Sequence, residues 1–133
     1  LDGYISANEY MIKKALSVYG KDAVQNAINL CAAYKDAGMK YNEFFSPESY
    51  QCAYNIILDT GECYNLKMLD ISGDDVMKCG FTGKDVGKVL NLLLNSVMLK
   101  EISNKNSALV RATERLYSEY RNNKTTQGGI NGN

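Results

Sequence analysis

The stretch Leu69–Val97 constrains the fold most, because its caps and glycines define a sharp corner between two helices. Ser72 precedes Asp75 by three residues, and Thr82 precedes Asp85 by the same spacing. In such a pair the hydroxyl accepts a hydrogen bond from a free amide of the first helical turn, and the acid complements the helix dipole. We therefore expect a short helix after Ser72 and a longer one after Thr82.

Three glycines surround this corner. Gly80 lies just past the short helix, where a residue with positive φ commonly ends a helix. Gly83 and Gly87 remove side chains from the first turns of the longer helix. The segment therefore predicts a tight, glycine-turned helical hairpin.

Two further helices are predicted before the corner. Ser6 and Glu9 form a capping pair for the first helix, which Gly20 ends, and the second runs from about Asp22 to Gly38. Apolar residues recur in both at three- and four-residue steps, so we expect them to face inward. They are Met11, Ile12, Ala15, Leu16 and Tyr19 in the first helix, and Val24, Ala27, Ile28, Cys31 and Tyr34 in the second.

The remaining segments are also helical in pattern. Ser46 and Pro47 suit the N-cap and first position of a third helix, and a last helix is expected to begin at Ser103 or Asn104. The helix after Thr82 carries the broadest apolar face. It comprises Val86, Val89, Leu90, Leu93, Leu94, Val97 and Met98. Strand-like alternation is lacking, so the sequence predicts an all-α fold, a compact bundle of about five to seven helices.

A chain of 133 residues can build one stable hydrophobic core, but it is too short for two cores of adequate size. We expect a single helical domain over residues 1–120. The polar, glycine-rich residues 121–133 are expected to be disordered. The sequence begins with Leu1 instead of Met and shows no secretory leader, which suggests a piece of a longer protein or a processed one.

Cysteine and histidine content narrows the chemistry. The four cysteines form no Cys-x-x-Cys pair, so we do not expect them to bind zinc. The chain has no histidine, which excludes a histidine-ligated metal and any histidine-dependent triad within it. We expect four reduced, buried or partly buried cysteines in a cytoplasmic protein. No run of about eighteen apolar residues is present, so the sequence predicts no membrane span.

Catalytic motifs are equally sparse. Asp74 and Asp75 are adjacent and could hold magnesium, but acids in a first helical turn more often complement the helix dipole. The chain contains no Asp-x-Asp pair, P-loop or dinucleotide fingerprint. We therefore assign no catalytic residue and no metal ligand to this chain.

Charge is divided unevenly although the formal net charge is zero. Residues 1–66 carry five basic and eight acidic side chains, whereas residues 67–133 carry ten basic and seven acidic ones. The basic half is the half with the hairpin. Phosphate neutralisation depends on local charge, so this half is the better candidate for an RNA contact.

The hairpin sequence resembles the carboxy-terminal part of bacterial CCA-adding tRNA nucleotidyltransferases, which belong to one superfamily with poly(A) polymerases. The resemblance covers most of the chain, loosely before Asp36. It is carried by Gly61, Glu62, Cys63, Tyr64, Leu69, Ile71, Gly73, Asp75, Met77, Gly80, Gly83, Gly87, Leu90, Leu93, Val97 and Asn104.

This resemblance implies a role in tRNA processing. In these transferases an amino-terminal catalytic head uses magnesium with CTP and ATP, while carboxy-terminal helical domains hold the tRNA. The expected partners are therefore tRNA and a catalytic head that lies outside this sequence. The resemblance implies no cofactor within the chain itself. It leaves open whether the parent protein adds CCA, adds only A residues or has lost activity.

The residues themselves suggest where RNA would bind. At Thr82, Gly83 and Lys84 the backbone can approach a phosphate, the helix dipole favours an anion, and Lys84 and Lys88 add charge one turn apart. Alternatively, the glycines only let helices cross closely, and the lysines form a solvated face. The candidate RNA-binding residues are Lys78, Gly83, Lys84, Lys88, Lys105, Arg111 and Arg115.

Two other classes of function stay open. One is a protein–protein interaction module with an exposed aromatic patch, formed by Tyr41, Phe44, Phe45, Tyr50 and Tyr54. The other is a DNA-binding helical hairpin, since glycine-containing turns also contact DNA phosphates. The sequence does not indicate an oligomeric state.

Overall fold

A computed structural model describes residues 6–38 and 46–131, and its regular secondary structure there is entirely helical. The prediction of an all-α fold with five to seven helices is confirmed for this part of the chain. Six α-helices occur, with one short 3-10 turn at Leu66–Met68. They are α1 (Ala7–Tyr19), α2 (Lys21–Asp36), α3 (Pro47–Thr60), α4 (Gly73–Lys78), α5 (Lys84–Met98) and α6 (Asn106–Asn131).

The chain divides into two compact units. The first unit comprises residues 1–65 and 98–100, and the second comprises residues 66–97 and 101–133. We describe each unit by itself. The single domain predicted over residues 1–120 stays a prediction.

In the first unit, α1, α2 and α3 enclose a small apolar core. Six buried side chains form it: Ile12, Leu16, Val24, Ile28, Ala53 and Ile57. Partly buried Tyr50, Tyr54 and Tyr64 pack against this cluster. Burying one such aliphatic side chain contributes roughly 1.5 to 3 kcal/mol, so this cluster is the main apolar contribution to the stability of the unit.

The inward face predicted for α1 and α2 is too wide. Ile12, Leu16, Val24 and Ile28 are buried as expected, but five of the other predicted inward residues are exposed. They are Met11 (42% exposed), Tyr19 (71%), Tyr34 (47%), Ala27 and Cys31. With three helices in this core, only a narrow stripe of each helix finds a partner, so the flanks of the periodic pattern stay in contact with solvent.

A buried lysine is the feature of the first unit that the sequence did not predict. Lys13 is 1% exposed, and its Nζ donates to the carbonyl oxygen of Met98 over 3.1 Å. The same Nζ lies 3.4 Å from Glu62 Oε1, which Lys100 also approaches to 3.1 Å. Lys100 in turn lies 3.7 Å from Glu9. The buried cation is thus paired and hydrogen-bonded, as burial of a charge requires.

Helix boundaries in the first unit mostly agree with the predicted caps. Ser6 Oγ accepts from the Glu9 amide, and Ser46 Oγ accepts from the Ser49 amide with Pro47 at the first helical position. Gly61 ends α3 in the left-handed conformation. Such caps depend on residues three apart, which explains why the sequence indicates them well.

The last helix begins later than predicted. It starts at Asn106, not at Ser103 or Asn104, because Asp70 Oδ2 accepts from the Asn106 amide and supplies the cap from another part of the chain. The helix then continues to Asn131. The disorder expected for residues 121–133 stays a prediction, and residues 132–133 lie outside the described part.

All four cysteines are free, as expected, but their burial differs from the prediction. Cys63 is buried and Cys79 is half-buried, whereas Cys31 and Cys52 are exposed. Among the described residues, no helix has the length and apolar character needed to cross a membrane.

Candidate nucleic-acid interface

The corner of the second unit begins at a complete capping box. Ser72 Oγ accepts from the Asp75 amide, and Asp75 Oδ2 accepts from the Ser72 amide, both over 3.2 Å. The Ser72 amide is the main cause that lowers the pKa of the Asp75 carboxyl, with further contributions from the Ser72 hydroxyl and Asn106. The predicted cap is confirmed, and Asp75 is used to start α4.

Gly80 follows α4 with φ of +123°, in the region that favours glycine. A Cβ built there would lie 2.6 and 2.8 Å from two ring carbons of Tyr117. The Tyr117 ring also meets Phe81 edge-on, with a centroid separation of 5.2 Å and an interplanar angle of 76°. Two independent features therefore require glycine at position 80: the positive φ of its backbone and the Tyr117 ring that packs against its Cα.

The start of α5 corrects the prediction for Gly83. The helix begins at Lys84, so Gly83 precedes it with φ of +60° and does not lie in its first turn. The Asp85 amide donates to the Thr82 carbonyl oxygen over 3.2 Å. A Cβ on Gly83 or Gly87 would meet no atom within 4 Å. Close helix crossing therefore explains neither glycine, whereas a Cβ on Gly73 would lie 3.4 Å from Val86 Cγ1.

Asn104 joins the loop before α4 to the start of α6. Its Oδ1 accepts from the Asp70 amide and its Nδ2 donates to the Met68 carbonyl oxygen, both over 2.8 Å. Asn106 adds a bond from its Nδ2 to the Asp70 carbonyl oxygen over 3.1 Å. These bonds replace the helix or strand partners that an irregular loop lacks.

All six predicted basic contact residues are exposed in the second unit. Lys84 and Lys88 lie one turn apart on α5, and Arg111 and Arg115 lie one turn apart on α6. Lys78 ends α4, and Lys105 immediately precedes α6. The four residues thus form two pairs of cations, one on each helix.

Ion pairing differs between the two units. The salt bridges of the described residues are Lys13–Glu62, Lys35–Glu48, Lys100–Glu9 and Lys100–Glu62, and all of them lie in the first unit. The second unit contains nine basic and seven acidic residues. Among its described side chains, none of the six predicted basic residues is in a salt bridge. Lys78 helps to lower the pKa of the nearby Asp75 carboxyl, so the charges of the other five are the ones left available to an anionic partner.

An aromatic cluster beside the corner was missed by sequence reasoning. Phe81, Tyr117 and Tyr120 pack together, with centroid separations from 5.2 to 6.4 Å. Arg121 lies 5.9 Å from the Tyr117 ring centroid, and Lys124 lies 5.5 Å from that of Tyr120. Leu109, Thr113 and Tyr117 follow one another at four-residue steps and therefore lie on one face of α6. This spacing is the sequence signal that could have placed Tyr117 toward the interior.

The aromatic patch predicted for a protein–protein module is described only in part. Tyr50 and Tyr54 are half-buried against the core of the first unit, and Tyr54 Oη donates to the Lys21 carbonyl oxygen over 3.3 Å. Tyr41, Phe44 and Phe45 lie outside the described residues. The two described tyrosines therefore serve the core.

Neither a metal site nor a similarity to known proteins identifies a function for this surface. Within the described residues, no group of three or more His, Cys, Asp or Glu side chains is arranged to hold a metal ion. No protein-family model, curated protein or solved structure matches this chain. The arrangement of charge and backbone in the second unit is thus the basis for a functional proposal.

Proposed function

We propose that this chain is the carboxy-terminal tRNA-binding region of a CCA-adding tRNA nucleotidyltransferase, or of a related poly(A) polymerase. In this role it holds tRNA while a catalytic head outside this sequence adds nucleotides to the 3′ end. The head binds magnesium, CTP and ATP and carries out nucleotide addition, and the present chain positions the tRNA. The protein acts in the cytoplasm.

One observation carries this proposal: the exposed cations on α5 and α6 form no salt bridge with a neighbouring acid. Lys84, Lys88, Arg111 and Arg115 stand on two helices without a salt bridge, whereas every salt bridge of the described residues lies in the first unit. Duplex RNA is bound mainly through its backbone and shape. Two pairs of cations on helices suit contacts to successive phosphates.

The corner supports the same interpretation. Gly83 is exposed, has positive φ and has no atom near the position of a Cβ, so its backbone is open to a phosphate immediately before α5. Lys84 and Lys88 follow on the exposed face of that helix. Asp85 is half-buried beside them and reduces their combined charge only in part.

The test is tRNA affinity as a function of salt concentration for the full chain. We expect weak binding that falls with salt, because each neutralised phosphate releases counterions. Lys84→Glu/Lys88→Glu should lower the affinity at least tenfold and reduce the salt slope by about two. Lys14→Glu/Lys21→Glu makes the same charge change at exposed positions of the first unit and should leave the slope unchanged.

The outcomes separate the proposed function from its alternatives. If tRNA affinity did not depend on salt concentration, or if both double variants lost the same affinity, RNA would not bind at Lys84 and Lys88. Equal affinity for a DNA duplex and for tRNA would instead favour the DNA-binding hairpin.

A further inference from the structure

A second feature of the second unit is a groove between α5 and α6, with a volume of about 390 Å3. Its floor is apolar and includes Leu92, Leu116 and Tyr120. Leu92 is 56% exposed and Tyr120 is 40% exposed, so solvent reaches much of this floor. Both side chains are therefore accessible to a ligand in the groove.

Charged and polar groups line the rim of this groove. Lys88, one of the predicted RNA-binding residues, lies on the α5 side, and Asn123 lies on the α6 side. Asp85 and Glu119 also line it. The groove therefore combines a cation, an amide and two carboxylates around one short apolar floor.

Tyr120 is held in position by three neighbours, one of which is Tyr117, whose ring stacks on it with a centroid separation of 6.4 Å. The Tyr120 ring lies 5.7 Å from the Phe81 ring, and the Lys124 ammonium lies 5.5 Å from its centroid. A ring that is packed and flanked by a cation loses little conformational entropy when a second planar group covers it. It is thus suited to stacking.

We propose that this groove binds one unpaired nucleotide of the RNA held by the second unit. The base packs on Leu92 and Tyr120, and its phosphate lies beside Lys88. Proteins that bind single-stranded nucleic acid combine aromatic platforms with nearby cations in this way. The inference rests on the proposed function, since it assumes that RNA is the ligand of the second unit.

The hydrogen-bonding groups of the lining suit a nucleobase better than an apolar peptide. Asp85 and Glu119 repel a phosphate but accept hydrogen bonds from the amino group of a base, so they favour the base inside the groove and the phosphate at Lys88. A peptide helix would need an apolar stripe of several turns. The short floor of this groove matches a single planar ring better.

The experiment compares two RNA hairpins, one with a short single-stranded 3′ overhang and one blunt. We expect the full chain to bind the overhang hairpin about tenfold more tightly, because one stacked base contributes to binding. Leu92→Gln should remove this preference without changing the affinity for the blunt hairpin. Leu30→Gln is the matched control, because Leu30 on α2 is 55% exposed and lies outside the groove.

A second variant tests the stacking itself. Tyr120→Leu keeps apolar bulk against Phe81 but removes the aromatic face, and it should reduce the overhang preference while circular dichroism shows an unchanged helical content. Equal binding of both hairpins by the native chain, or an unchanged preference in Leu92→Gln, would overturn the groove proposal alone. Failure to bind either hairpin or tRNA would overturn the proposed function with it.

Discussion

The phenol ring of Tyr117 occupies the space that a side chain at Gly80 would need. Two of its ring carbons lie 2.6 and 2.8 Å from the position of a Cβ on Gly80. Such distances are shorter than any van der Waals contact between carbons, so the ring and the glycine depend on each other. The turn between α4 and α5 is in this way coupled to α6, from which Tyr117 projects.

Gly80→Ala should therefore destabilise the second unit. Overpacking against Tyr117, with the strain of positive φ, should lower the free energy of unfolding by about 2 to 3 kcal/mol. Gly87→Ala is the matched control within α5, where no atom lies near the new methyl group. It should raise the free energy of unfolding by about 0.5 to 1 kcal/mol. Urea denaturation followed by circular dichroism measures both, and similar effects in the two variants would contradict the steric explanation.

Asn104→Ala should also destabilise the second unit, by about 2 kcal/mol, because it leaves the Asp70 amide and the Met68 carbonyl without their partner. Asn91→Ala is a suitable control, since Asn91 is exposed and bonds only to Gly87 of its own helix. Its effect should stay within about 0.5 kcal/mol. Equal losses in the two variants would show that the Asn104 bonds contribute little.

Removal of the buried cation should strongly affect the first unit. Lys13→Met leaves the Met98 carbonyl without its donor and leaves Glu62 paired only with Lys100. Breaking a buried pair from one side costs about 3 to 5 kcal/mol, and the remaining Lys100 contact places this variant near the lower value. Lys14→Met, at the exposed neighbouring position, should change the free energy of unfolding by less than about 0.5 kcal/mol. A small loss in Lys13→Met would mean that burial of the lysine is nearly neutral.

The capping carboxylate of Asp75 should make stability depend on acidic pH. Its pKa is lowered from 3.8 in the native state, chiefly by the Ser72 amide. A depressed native pKa gives stabilisation that is complete above the unfolded pKa and is lost as pH falls through the native pKa. Unfolding measured from about pH 6 to about pH 2 should show this loss, and Asp75→Asn should reduce it. A native Asp75 pKa at or above 3.8 by NMR titration would contradict the expected direction.

Agreement between sequence and structure is best where the determining interaction is local. Ser6, Ser46 and Ser72 each cap a helix through the residue three positions later, and both partners are visible in the sequence. The apolar spacing of α5 likewise follows from helical geometry alone, and Val89, Leu93, Leu94 and Val97 are buried as predicted. The all-α fold follows from the sum of such local signals.

Positions that depend on distant partners were less predictable. The first residue of α6 is set by Asp70, which lies 36 residues before Asn106. The width of the exposed face on α1 and α2 depends on the number of helices that pack against them. The apolar periodicity of the sequence does not reveal that number. For the candidate interface, the sequence indicated the basic residues but not the ring cluster of Phe81, Tyr117 and Tyr120 beside them.

The sequence by itself thus determined the helical class, most of the helix starts and the glycine-turned corner, because caps and periodicity act within one or two turns. Only the tertiary structure decided that Lys13 is buried against a carbonyl 85 residues away, that Tyr117 packs on Gly80, and that the salt bridges of the described residues gather in the first unit. These features depend on which segments meet in space. The same contacts also distinguish the cations that form salt bridges from those that form none.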